Sequence, residues 1–193
     1  MQNVTDAMTL IQHTGVSEET VDRDTRRGGD TPGHGTKWKV YYRLASDPLL
    51  GVLLAHETEA DTLDRQLARL NEEAGNYAAL RDAGFVVPQC AAGAVATLDH
   101  LAGGTRAAAL VVEHVDGRGP YKATTQFRSI ARIVGGSPPD IEPLYRQAWS
   151  ALQAAACERC PMDLQVLLAD DGRIVTIDPE RIGSGRVLPP LAT

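Results

Sequence analysis

Leu63, Leu67, Leu70, Ala74, Tyr77 and Leu80 stand three or four positions apart, the spacing of a single face of an α-helix. Gly84 follows as the stop signal. On both sides of this helix the pattern changes. Lys37–Leu44 (KWKVYYRL) is dense in aromatic and β-branched residues, and Leu49–Leu54, Cys90–Thr97 and the buried run Ala107–Val115 (AAALVVEHV) also read as strands. Phe85–Val87, before Pro88, reads as a short strand entry, and Met8–Gln12 and Glu19–Asp22 as short strands. Arg26–Thr36 is a loop by composition, Gly103–Gly104 a turn, and Asp116–Pro120 (DGRGP) a break. A second helix is predicted from about Ile141 to Ala156, with Ile141, Leu144, Tyr145, Ala148 and Leu152 on one face. Leu164–Leu168 and Arg173–Ile177 then form a hairpin through Asp170-Asp171-Gly172, since Asp-Gly between alternating apolar runs is a strong turn signal. Strands, helix, strands, helix, hairpin without regular βαβ alternation make an α+β chain.

At 193 residues the chain has the length of one domain with a real core. The formal charge of −6 and the lack of a Lys/Arg block argue against nucleic acid as a partner. Apolar runs such as Ala107–Val112 are too short to cross a bilayer, so no membrane role is expected. Cys90, Cys157 and Cys160 do not make a disulfide framework and suit a reducing compartment. Cys157-Glu158-Arg159-Cys160 is a lone C-x-x-C at a predicted helix end, short of the four ligands of a structural zinc site. The polar start, with no basic segment leading into an apolar run, lacks a signal-peptide pattern, and Met1–Asp6 has the composition of a type III secretion signal. These features divide the chain into a polar segment over 1–9, one domain over 10–183 and a tail over 184–193, expected as a monomer.

The chemistry concentrates in the last hairpin. Asp163 and Asp178 bracket it, and antiparallel strands of five or six residues bring its two ends to one open edge. Two carboxylates there can hold Mg²⁺ and position a hydroxyl for phosphoryl transfer. The bland alternative is a pair of surface acids capping a hairpin.

The order of segments resembles the protein-kinase catalytic core. Asp163 is similar to the catalytic-loop aspartate, Gln165 stands for the metal-binding amide, and Asp178-Pro179-Glu180 stands where that family has its metal-binding Asp-Phe-Gly. Pro161 replaces the loop histidine and Leu168 the expected asparagine; if Gln165 is the aligned amide, the loop acid falls at Cys160. Leu110–Gly117 resembles the fifth strand and hinge, which implies adenine contacts near Glu113 and Val115. Trp38-Lys39-Val40-Tyr41 resembles the third-strand segment ending in the ATP-binding lysine; with Lys37, Lys39 and Lys122 the only lysines, Lys39 is favoured and Lys37 is the fallback. The long helix resembles the one that supplies the lysine's glutamate, here Glu57, Glu72 or Glu73, with Glu73 favoured by its distance to Phe85–Pro88. His13–Ser17 and Gly33-His34-Gly35 are the candidate glycine-rich loops.

Only fifteen residues follow Asp178, far fewer than a full kinase C-lobe needs. A core this short resembles the minimal HopBF-family effector kinases of plant-associated bacteria. The resemblance implies a truncated two-lobed fold, a small N-terminal sheet with its helix over a minimal C-lobe. It also implies ATP and Mg²⁺ as cofactors, secretion into the host cell cytoplasm, and a host protein substrate, with HSP90 as the family's target. Lys39 would hold phosphates, Glu73 would orient it, Asp178 and Gln165 would bind Mg²⁺, and Asp163 would orient the attacking hydroxyl. The alternatives are a pseudokinase-like binding module without turnover and, ranked last, a small-molecule phosphotransferase.

Overall fold

The computed structural model describes residues 3–28, 39–57, 61–82, 84–99, 105–122, 160–161, 165–179 and 182–183. The predicted helix at 141–156, the Gly33–Gly35 and Gly103–Gly104 segments, Lys37, Asp163 and Cys157 lie outside them. The architecture is α+β and the chain divides into two compact units, Met1–Ala74 with Gln89–His114, and Gly75–Pro88 with Val115–Thr193.

The first unit opens with helix α1 (Val4–Thr14), so the expected strand at Met8–Gln12 is helical, while the strand expected at Glu19–Asp22 begins at Val21. Read alone, the five residues Met8–Gln12 do not distinguish the two periods. Extended back to Val4, the buried residues Val4, Ala7, Met8 and Ile11 follow helical spacing. Asn3 caps the helix by accepting the Asp6 N–H at 2.9 Å. Val4, Ala7 and Met8 sit in the core. At its other end Gly15, at φ 79°, donates its N–H to the Ile11 carbonyl at 2.8 Å.

Six strands follow in this unit: β1 (Val16–Ser17), β2 (Val21–Gly28), β3 (Val40–Leu44), β4 (Leu50–His56), β5 (Ala94–Asp99) and β6 (Arg106–Glu113). They form one sheet in the order β1-β5-β6-β4-β3-β2, antiparallel except for the β1–β5 pair. Strand β6 pairs with β4 from Ala107 to Glu113 and with β5 on its other edge. Its run of apolar residues is explained by burial on both faces. Ala107, Ala109 and Val111 pack in the cluster that holds the α1 residues, while Ala108, Leu110 and Val112 pack with Leu63 and Leu70 of helix α2 (Leu63–Asp82). Gly51 is required by close approach, because a Cβ there would collide with the Tyr41 ring.

Helix α2 contributes its residues up to Ala74 to the first unit and those from Gly75 to the second. It ends in a Schellman arrangement: Gly84, at φ 88°, donates to Arg81 O at 2.9 Å and Phe85 N–H to Leu80 O at 3.0 Å. Phe85–Val87 is not a strand, but the Val86 carbonyl accepts the Thr176 N–H at 2.8 Å.

In the second unit the expected hairpin forms from β9 (Gln165–Ala169) and β10 (Ile174–Ile177), with Ile174 opposite Leu168 and Ile177 opposite Gln165. The Asp116–Pro120 segment, expected as a break, instead supplies most of strand β7 (Gly117–Lys122), which pairs with β9. The register shifts between Arg118 and Tyr121, so Pro120, which lacks an N–H, sits at the irregularity where the ladder does not need one. β8 (Cys160–Pro161) pairs with β11 (Ile182–Gly183). No helix among the described residues is long and apolar enough to cross a membrane.

Gly15→Ala forces a left-handed alanine into Thr97, whose carbonyl oxygen would lie 3.0 Å from the new Cβ. The expected loss is more than about 1 kcal/mol, and Gly51→Ala should lose about 1–3 kcal/mol by overpacking Tyr41. Both should appear as lower urea midpoints.

Candidate functional site

Strand alternation determines where Lys39 points. Val40, Tyr42 and Leu44 pack in the cluster on the α1 side of the sheet, and Tyr41 packs on the α2 side. Lys39 shares the parity of Tyr41 and reaches helix α2, where its ammonium forms an ion pair and hydrogen bond with Glu73. The two side chains are only 10% and 1% exposed. Of the three glutamates considered, Glu72 is exposed, and Glu57, also exposed, takes the Leu63 N–H at 3.4 Å. Lys39 precedes β3, and β4 intervenes in sequence before the helix. The strand that runs directly into α2 carries no lysine.

The buried face of α2 is turned from the stripe read in the sequence. Leu67 and Ala74 are half-buried, while Gln66, Glu73 and Asn76 are buried beside Leu70, Tyr77 and Leu80. Each buried polar group on this face has a bond that offsets part of its desolvation. The Gln66 amide donates to the His56 carbonyl at 3.4 Å, Glu73 holds Lys39, and Asn76 donates to the Pro179 carbonyl at 2.7 Å. The Tyr77 hydroxyl accepts the Asp178 N–H at 3.0 Å. Gln66 and Asn76 escaped the sequence reading; the available signal was their spacing from Glu73, seven residues before and three after, which places all three on one side of a helix.

Asp178 follows β10 half-buried, with φ 56°, and is the one described non-glycine residue in the left-handed region. Gln165 stands opposite Ile177, the residue before Asp178, so the ladder sets the two candidate metal ligands at the same end of the hairpin. Asp178 offers a hard oxygen donor of the kind Mg²⁺ takes, and Mg²⁺ sites with nucleotide need only one or two carboxylates beside phosphate and water. On donor chemistry the residue fits the ion. Among the described residues no three His, Cys, Asp or Glu side chains gather as an all-protein metal site.

The hinge-like segment is tied down by its own unit. The Glu113 N–H donates to Gln89 O at 2.7 Å, the Glu113 carboxylate accepts the Gln89 N–H at 3.0 Å, and the His114 N–H donates to Leu49 O at 2.7 Å. These two N–H groups therefore serve the fold. Tyr41 bonds through its hydroxyl to His114 Nδ1 and stacks on that ring at 5.9 Å between centroids. Val115 is half-buried. Gly15, proposed within a glycine-rich loop, closes helix α1 against Thr97, so its conformational freedom is spent on a helix end.

In the hairpin turn Asp171 is held below the ordinary carboxylate value, first by the Arg173 backbone N–H at 3.0 Å and then by its guanidinium at 2.6 Å. Its contribution to the turn is present above the usual carboxylate range and is lost as pH falls through the lowered value.

No protein-family model and no curated protein matches the chain.

Burying a lysine–glutamate pair is a poor way to gain stability, because desolvation consumes most of the attraction. Lys39→Met or Glu73→Leu alone strands a buried charge and should cost about 3–5 kcal/mol in urea unfolding, while the double substitution should recover most of that loss.

Proposed function

We propose that this chain is an ATP-dependent protein kinase of minimal, truncated two-lobed form, transferring a phosphoryl group to a serine or threonine hydroxyl. The observation that carries the reading is the ion pair of Lys39 with Glu73. A charge pair kept in a buried place where an apolar pair would be at least as stable is better explained by use than by stability. Asp178 adds support, as a carboxylate in a strained backbone conformation, a feature that clusters at functional sites.

On this reading Glu73 orients the Lys39 ammonium, and Lys39 neutralises phosphate oxygens of the nucleotide. Asp178 and Gln165 would hold Mg²⁺, which supplies charge neutralisation at the transferring phosphoryl group. Asp163 would orient the attacking hydroxyl, and backbone near Glu113 and Val115 would meet adenine. Such catalysis consists of positioning and electrostatics, so a small scaffold suffices. The resemblance to the HopBF-family effectors extends the proposal to secretion by a bacterium into the host cytoplasm, with HSP90 as the first substrate to try.

The test is incorporation of label from γ-labelled ATP with Mg²⁺ and HSP90. Lys39→Met and Asp178→Ala should each lower incorporation by about a hundredfold or more. Absence of label on HSP90 and on the protein itself overturns the kinase reading. The second reading, a pseudokinase-like binding module, is favoured by Asp178-Pro179-Glu180 in place of Asp-Phe-Gly. Calorimetry with ATP and Mg²⁺ separates the two, since the absence of nucleotide affinity favours the module.

A further inference from the structure

The backbone at Asp178 is held against its preference. A side-chain-bearing residue in the left-handed region is strained, and a residue that precedes proline is pushed further toward extended conformations. Asp178 nevertheless has φ 56° and is followed by Pro179, which is fully buried. Conformations of this kind persist only where surrounding groups over-determine them. Two side chains from consecutive positions on α2 do so here. The Tyr77 hydroxyl accepts the Asp178 N–H at 3.0 Å, and the Asn76 amide donates to the Pro179 carbonyl at 2.7 Å. Tyr77 and Asn76 are 3% and 8% exposed, so both bonds are made away from water, where losing a partner is costly. Neither of these two bonds uses the Asp178 carboxylate; both grip main chain, one at the residue and one just beyond it.

We propose that Tyr77 and Asn76 are positioning residues that lock Asp178 in its left-handed conformation and thereby fix the direction in which its carboxylate meets a divalent cation. The inference rests on the reading of Asp178 as a metal ligand. Groups that orient a metal ligand without touching the metal commonly matter about as much as ten- to a hundredfold in affinity.

Two measurements on the full chain test it. The first is a urea-unfolding cycle of Tyr77→Phe, Asp178→Gly and their combination. Glycine adopts the left-handed region without strain. The Tyr77 bond is to main chain and survives that substitution, so Tyr77→Phe should cost more in the Asp178→Gly background than in the parent, where relief of the strain at Asp178 offsets part of the loss. Equal losses in the two backgrounds overturn the lock. The second is titration with Mn²⁺ in the presence of ADP, followed by electron paramagnetic resonance. Tyr77→Phe and Asn76→Ala should each weaken Mn²⁺ binding by about tenfold, with Asp178→Ala as the reference for loss of the ligand. If Asn76→Ala fails to fold, Tyr77→Phe carries the comparison alone. Mn²⁺ binding that depends on Asp178 but is unchanged in Tyr77→Phe overturns the positioning role and leaves the kinase reading standing. Mn²⁺ binding that is the same in the parent and in Asp178→Ala removes Asp178 as a ligand and overturns both.

Discussion

The buried pairing of Lys39 with Glu73 governs the layout of the first unit. An ammonium and a carboxylate cannot both enter a protein interior unless each meets the other, so strand β3 and helix α2 are held to one registration. The helix accordingly presents a face that mixes Leu70 and Leu80 with Gln66, Glu73 and Asn76. An all-leucine face would pack as densely and tolerate sliding by a turn. The mixed face does not, because Glu73 and Asn76 each meet their partner in one geometry.

The same helix serves each unit with a different chemistry. In the first it contributes a charge, through Glu73; in the second it contributes neutral hydrogen-bonding groups, through Asn76 and Tyr77. The charged contact can neutralise or orient something charged. The neutral contacts define backbone geometry and leave local charge unchanged.

The architecture was legible where the period of the sequence was long and clean. The Leu63–Leu80 periodicity, the Asp-Gly hairpin and the β-branched run before Leu44 all give the elements they suggest. It failed where windows were short or where composition misled. Met8–Gln12 was too short a stretch to separate strand from helix until Val4 was counted in. Asp116–Pro120 looked like a break because glycine and proline dominate it, yet an edge ladder with a register shift accommodates both. For the candidate site, the Lys39–Glu73 partnership was anticipated from the resemblance to a kinase third strand and helix, with the scarcity of lysine narrowing the choice. Gln66 and Asn76 were not, because polar residues on a helix are exposed far more often than buried, and only the neighbouring carbonyls of His56 and Pro179 explain their position. The left-handed turn at Asp178 was equally hidden, since nothing in an Asp-Pro pair suggests it.

Strand β6 lies between two paired neighbours and under side chains on both faces. Its amides can reach solvent only if a large part of the sheet opens at once, which makes it the natural last region to exchange hydrogen. Glu113 ends the strand and His114 follows it, and the two are further tied to Gln89 and Leu49. The chain therefore leaves the first unit from a strand paired along both edges and packed on both faces.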